Sequence, residues 1–271
     1  MKTIIGQAAR GEDFLPRPNI TNEIWSKLDN GSNLLLVAPR RVGKSSILFD
    51  LEDNPLAGYI VIYYTSESVN NINEFYKKLF NHIIEKFNSI KKHGLKIKGI
   101  TKDLLSRIET INITDLSFTI GESKVSYIAE LEKLFTNLNL KDEKILVLVD
   151  EFASTIENIN TDHGEREAIK FLQTKREIRQ SKSTYKRIQF IYAGSIGLEN
   201  IVSRFNGIQF INDLNPVLIP ILTQKEVETL LKKIIDNPSI TFADDAKQHL
   251  LNIIEWWIPF YFQLILDETI E

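Results

Sequence analysis

"LLLVAPRRVGKSS" (residues 34–46) runs from an unbroken apolar stretch into a short loop holding two arginines, then into a helix-forming segment. The loop fits G-x-x-x-x-G-K-[ST], a pattern whose backbone N–H groups cradle phosphates at a helix N-terminus. Gly43 permits close backbone approach, Lys44 can reach the β- and γ-phosphates, and Ser45 can ligate Mg²⁺. Ala38 stands where the pattern has its first glycine. That glycine's task is geometric, at the strand exit, and alanine can replace it where φ stays negative. The candidate phosphate-contacting set is Pro39, Arg40, Arg41, Val42, Gly43, Lys44, Ser45 and Ser46. Arg40 and Arg41 point out of a loop whose backbone does the binding. They can bridge to another part of the molecule or to an acidic partner, or assist phosphate neutralisation.

A second motif stands further on. "KILVLVDE" (144–151) is an apolar strand ending in two carboxylates. Asp150 is placed to hold a Mg²⁺ shell, and Glu151 to orient and polarise an attacking water. A positioned general base contributes about 10²–10⁴-fold. Either motif alone has an ordinary reading, a strand–helix turn or a solvated acidic turn. Both together, in this order and each on a buried strand, point to nucleotide hydrolysis. Ser195, leaving the strand "RIQFIYAGS" (187–195), is a candidate contact to a γ-phosphate or the water, or else a plain turn residue.

Around these motifs strands alternate with helices. The predicted strands are 33–38, 59–64, 144–149, 187–195 and 216–222, the last at an edge or with an irregular end because of Pro216 and Pro220. Helices are predicted at about 21–30 with Thr21 or Asn22 as N-cap, 43–52, 71–90, 126–139 and 164–181. The alternation implies an α/β fold with a doubly wound parallel sheet. Residues 91–125 break the rhythm and read as an insertion carrying a β-hairpin. Its lysines (Lys91, Lys92, Lys96, Lys98, Lys102) form a solvated face or a contact for nucleic acid or a partner; no aromatic platform is interleaved. From Thr223, which forms a capping box with Glu226, the pattern is helical only. The expected division is a core, 1–222, and a small helical lid, 223–271.

Composition bounds the function. The 271 residues are 43% hydrophobic and 25% charged with a net charge of −3, so no overall basic excess points to nucleic acid. The absence of cysteine excludes thiolate metal sites and disulfides, and His82, His93, His163 and His249 form no ligand pair. No signal peptide or membrane-length apolar run is present, so a cytoplasmic protein is expected.

"GEDFLPRPNI", "LLLVAPRRVGKSSIL", "LVLVDEF", "FIYAGSIGLENIV", "PVLIPILTQKEVETLL" and "IPFYFQLI" together resemble the prokaryotic AAA-like P-loop ATPases, similar to archaeal-type ATPases and STAND NTPases within the AAA+ and related groups. The resemblance covers the chain apart from 91–125, and in this group the loop commonly reads G or A, then P-R-R-x-G-K-[ST]. It implies a P-loop NTPase sheet, ATP/ADP and Mg²⁺ as ligands, and a partner that is a further copy of the chain or an effector protein. By the same resemblance Phe14 and Arg17 lie near the adenine, with Pro16 where the group has glycine. Pro259 approaches the nucleotide from the lid, with Trp257 in the glycine position of G-x-P, and Trp256 and Trp257 belong to the lid core. Arg204 sits where relatives supply an arginine in trans, or is a plain surface residue. The function implied is an ATP-driven conformational or assembly switch. The alternative is an ATP-dependent nucleic-acid-binding module. The sequence ends at "LDETIE" without a winged-helix or effector segment, which reads as a stand-alone subunit or a fragment.

Overall fold

A computed structural model describes residues 3–92, 126–138, 143–182, 184, 187–194, 197–235 and 244–270. In chain order the described elements are α1 (Pro18–Asp29), β1 (Asn33–Val37), α2 (Lys44–Asp53), β2 (Tyr59–Thr65), α3 (Ile72–Lys92), α4 (Tyr127–Asn137), β3 (Lys144–Asp150) and α5 (Phe152–His163). There follow α6 (Glu165–Gln180), β4 (Ile188–Tyr192), α7 (Leu198–Arg204), β5 (Leu214–Leu218), α8 (Gln224–Ile235), α9 (Asp244–Ile253) and α10 (Pro259–Ile270).

The five strands form one parallel sheet in the order β2-β3-β4-β1-β5. β3 between its charged ends and β4 apart from Gln189 are apolar because both faces are covered. Helices α3 to α7 pack on one face around Phe75, Phe152, Phe171 and Phe190. Helices α1 and α2 pack on the other through Ile24, Leu28, Ile47 and Leu51. A third apolar cluster, with Val227, Leu230, Phe262 and Leu266 at its centre, joins α8, α9 and α10. The register sets Thr65 beside Asp150, Val149 beside Tyr192, and Leu35 beside Tyr192. The C-terminal ends of β1, β3 and β4 therefore open at one edge, where open α/β sheets hold their ligands.

Several boundaries differ from expectation. α1 starts at Pro18 with Arg17 as N-cap, ahead of Thr21 and Asn22. Proline at the first helical position has its φ preset and gives up an N–H that needs no partner there. β5 begins at Leu214 and ends at Leu218, not at Leu222. The apolar run continues past it, but the carbonyls of Pro220 and Ile221 turn to Arg17 instead of a strand. β5 is nevertheless the edge strand, with Pro216 opposite Leu35. Helix α5 was not expected as a separate element; Gly164, at φ 84°, both ends it and starts α6. Lys91 and Lys92 end α3 instead of opening an insertion. The rest of the predicted hairpin, 93–125, lies outside the described residues.

Candidate phosphate-loop site

The loop between β1 and α2 turns on two left-handed residues. Gly43, at φ 94°, caps α2, and Arg41 is at φ 66°. Ala38 is not among the positive-φ residues, so its Cβ costs nothing at the strand exit. Val42 and Ser46 are buried, while Pro39, Arg40 and Arg41 are exposed. Lys44 is buried and folds back over its own loop, donating to the carbonyls of Pro39 (3.0 Å) and Ala38 (3.4 Å). Burial pulls its ammonium below the usual lysine range and the Arg40 charge adds to this, while Glu151 and Asp150 oppose it.

The two motifs meet directly. Ser45 Oγ donates to Asp150 Oδ2 at 2.6 Å, and Tyr63 OH donates to the same oxygen at 3.1 Å. Burial and the Asp150 charge both push the Tyr63 phenol far up, so it stays a donor. The Glu151 N–H donates to Asp150 Oδ1 at 3.0 Å. Below, Ser66 Oγ donates to the Asp150 carbonyl at 2.9 Å, and Thr155 Oγ1 donates to the Ser66 carbonyl at 2.7 Å. This buried network holds the turn in which Glu151 adopts φ 54°, a strained value for a side chain with a Cβ. Its oxygen Oε2 accepts from Ser154 Oγ at 3.1 Å.

Above the loop lies a cavity of about 300 Å³. From the core, Phe14, Leu15, Arg17, residues 41–46 and Glu151 line it; from the C-terminal helices, Leu230, Pro259, Phe260 and Gln263 do. The remaining wall is Leu222 and the N-terminal segment, with Ile4, Gly6, Gln7, Ala8, Ala9 and Asp13. That segment is tied to α10: the Ile4 N–H donates to Gln263 Oε1 at 2.8 Å, and Thr3 Oγ1 donates to Asp267.

Arg17, expected near a base, lines the cavity with its guanidinium already engaged. Nε bonds Glu226 Oε1 at 3.0 Å, Nη1 the Pro220 carbonyl at 2.9 Å and Nη2 the Ile221 carbonyl at 3.2 Å. Glu226 also accepts from the Thr223 N–H (2.7 Å) and hydroxyl (2.9 Å), completing the capping box. Burial alone would raise the Glu226 carboxyl, but these bonds and the Arg17 charge outweigh it and hold it below its ordinary range. Arg41 reaches the C-terminal helices directly: its guanidinium carbon lies 3.8 Å from the centroid of Phe260 and 5.7 Å from that of Tyr261.

The remaining sequence candidates lie elsewhere. Pro39 and Arg40 do not line the cavity. Arg204 is 64% exposed and pairs with Glu157 at 3.3 Å. Ser195 lies outside the described residues. Trp257 packs against the C-terminal cluster as expected, but Trp256 is 69% exposed and belongs to no core, a correction to the pairing of the two. Sequence reasoning missed Tyr63, Phe260, Gln263 and the N-terminal wall. Tyr63 sits within an aromatic strand, and its role emerges only from the register that pairs it with Leu148, two residues before Asp150.

The strand order and loop define the fold of a P-loop ATPase. A Walker-type ATPase of Pyrococcus abyssi superposes with a TM-score of 0.66 at 20% identity, covering 97% of this chain and 69% of the other. The Aeropyrum pernix ORC2 protein in its ADPNP–ADP complexes gives 0.52 at 14%, covering 89% and 58%. Cdc6p from Pyrobaculum aerophilum gives 0.51 at 14%, covering 90% and 57%. The chain thus spans less than two thirds of the latter two. These likenesses show the fold. No protein-family model matches the sequence, and neither does any curated protein sequence. Among the described residues no helix is long and apolar enough to cross a membrane.

Proposed function

We propose that this chain binds and hydrolyses ATP between the 38–46 loop and the C-terminal helices, which act as a lid. The observation that carries the reading is the 2.6 Å bond from Ser45 to Asp150, with Glu151 on the wall of the same cavity. Ser45 Oγ and the Asp150 carboxylate suit Mg²⁺, which takes one or two protein oxygens and fills its remaining positions with phosphate oxygens and water. When bound, the ion supplies charge neutralisation of the phosphates. Lys44 would exchange two loop carbonyls for phosphate oxygens, a stronger partner for an ammonium. Glu151, held in a rigid turn, would orient the attacking water and accept its proton.

Phe14 and Pro259 would border the base, and Arg17 would set the angle between core and lid instead of touching the ligand. Ser195 is assigned a γ-phosphate contact and Arg204 a place at an interface between copies. Because the cavity is walled by both core and lid, occupancy changes their relative position, and the output is a conformational or assembly switch acting on a partner. Cytoplasmic location belongs to the same reading.

The test is ATP turnover by wild type, Lys44→Ala and Glu151→Gln, with particle size read in parallel with and without ATP. Lys44→Ala should lose binding and Glu151→Gln should retain binding without turnover. ATP binding by Lys44→Ala equal to wild type would place the site elsewhere.

A further inference from the structure

The cations on the cavity wall all come from the core. Helix α10 carries no lysine or arginine from Pro259 to Ile270, so the lid itself brings no positive charge there. Of the lining cations, Arg17 is consumed by Glu226 and two carbonyls, and Lys44 is held by its own loop. Arg41 is differently placed. Among the described residues it makes no ion pair, and its guanidinium lies over the rings of Phe260 and Tyr261. It lies in the phosphate loop itself, two residues before Gly43, with a left-handed backbone, and it is exposed. Phe260 is the second residue of α10 and lines the same cavity. One side chain therefore joins the loop where phosphates would sit to the helix that closes the cavity.

The two partners open to Arg41 differ in strength. An exposed cation–π contact shifts an equilibrium by about 2- to 5-fold. A hydrogen bond between charged groups is worth about 10- to 150-fold. A polyphosphate in the cavity outbids the ring.

We propose that Arg41 is a phosphate-responsive latch: without ligand it holds α10 through Phe260, and it transfers to a bound polyphosphate, freeing Phe260 and the start of α10. This rests on the phosphate-binding reading of the loop. It means that a polyphosphate, and not a nucleoside alone, releases the lid. Phe260 and the phosphate thus compete for one guanidinium, and the effects of the two substitutions have opposite signs.

The experiment uses magnesium tripolyphosphate, which has no base to stack on Phe260. Its affinity is measured by calorimetry on the full chain for wild type, Arg41→Ala, Phe260→Leu and Lys44→Ala, each first checked for a native circular-dichroism spectrum. Arg41→Ala is expected to bind at least about 10-fold more weakly, and Phe260→Leu about 2- to 5-fold more tightly. Should Phe260→Leu misfold, Phe260→Met gives the same comparison with a more adaptable, unbranched side chain. If the Phe260 variant weakens binding alongside Arg41→Ala, the contact is a fixed strut and the latch is wrong. If Arg41→Ala binds as wild type, Arg41 never reaches phosphate and the latch is equally wrong. Failure of wild type to bind, or full binding by Lys44→Ala, removes the phosphate-loop reading itself and the latch with it.

Discussion

Ser45 Oγ and Asp150 Oδ2, separated by 105 positions in the chain, lie 2.6 Å apart. The contact exists because β3 and β1 are both buried in one parallel sheet and end at the same edge, with only β4 between them. Glu151 follows in a strained turn pinned from below by Ser66 and Thr155. The site is thus a property of the sheet.

Tyr63 orients the carboxylate from the neighbouring strand. Replacing it by phenylalanine removes one donor to Asp150 and leaves the ring packing on Phe49, whose centroid lies 4.7 Å away. Loss of a partner that orients a metal ligand costs about 10–100-fold in metal affinity. A Mg²⁺ titration of ATP turnover should therefore shift to higher Mg²⁺ by about 10-fold, with the melting temperature nearly unchanged. An unshifted titration would confine Tyr63 to packing.

Arg17→Ala tests the connection between core and C-terminal helices. It removes the bonds to Glu226, which keeps its two from Thr223, and to the carbonyls of Pro220 and Ile221, each worth about 0.5–1.5 kcal/mol net. The melting temperature should fall by at least about 2–4 °C, the shift that 1 kcal/mol makes in a chain near this size. The pH dependence follows from Glu226, whose folded-state carboxyl is depressed below its ordinary 4.5. Its contribution is complete above that value and is lost as pH falls through the lower folded one. The acid sensitivity of wild type should accordingly shrink in Arg17→Ala, as read by thermal melts between about pH 3 and 6.

Lys175 presents the opposite case, a buried amine without a counter-ion among the described residues. Its side chain is fully buried, its Nζ has no hydrogen-bond partner among the described residues, and it lies 4.7 Å from the ring centroid of Phe190 and 4.8 Å from that of Phe75. Burial drives its ammonium well below the ordinary range, and the nearby Arg179 charge adds to this. The ring faces return only part of that cost. The unfolded chain binds the proton more readily, so this residue's contribution to stability rises as pH climbs toward the unfolded lysine value of about 10.4. Lys175→Met should raise stability at neutral pH by about 1 kcal/mol or more, and the advantage should narrow as the medium becomes alkaline. A destabilised variant at pH 7 would show that the rings fully compensate the charge.

The layered fold and both motifs were legible in the sequence because buried parallel strands are unbroken apolar runs. "NLLLVA", "YIVIYY" and "KILVLV" could hardly be read otherwise. Helix α5 was not, because a single Gly164 separates it from α6 and no loop intervenes. The end of β5 was misplaced because apolarity continues beyond the last strand residue, where Arg17 captures the backbone. The arginine pair drew attention as a motif, yet the partner of Arg41 depends on how α10 folds back over the loop, which no local pattern encodes. Tyr63 and the N-terminal wall owe their places to register and to a return of the chain across the cavity, both non-local.

The most direct measurement of the central claim is ATP turnover and ATP binding on the same preparations of wild type and Glu151→Gln. Wild type should show Mg²⁺-dependent turnover, Glu151→Gln a loss of about 10²-fold or more, and the two equal ATP affinity. Turnover by Glu151→Gln at the wild-type rate would contradict the claim.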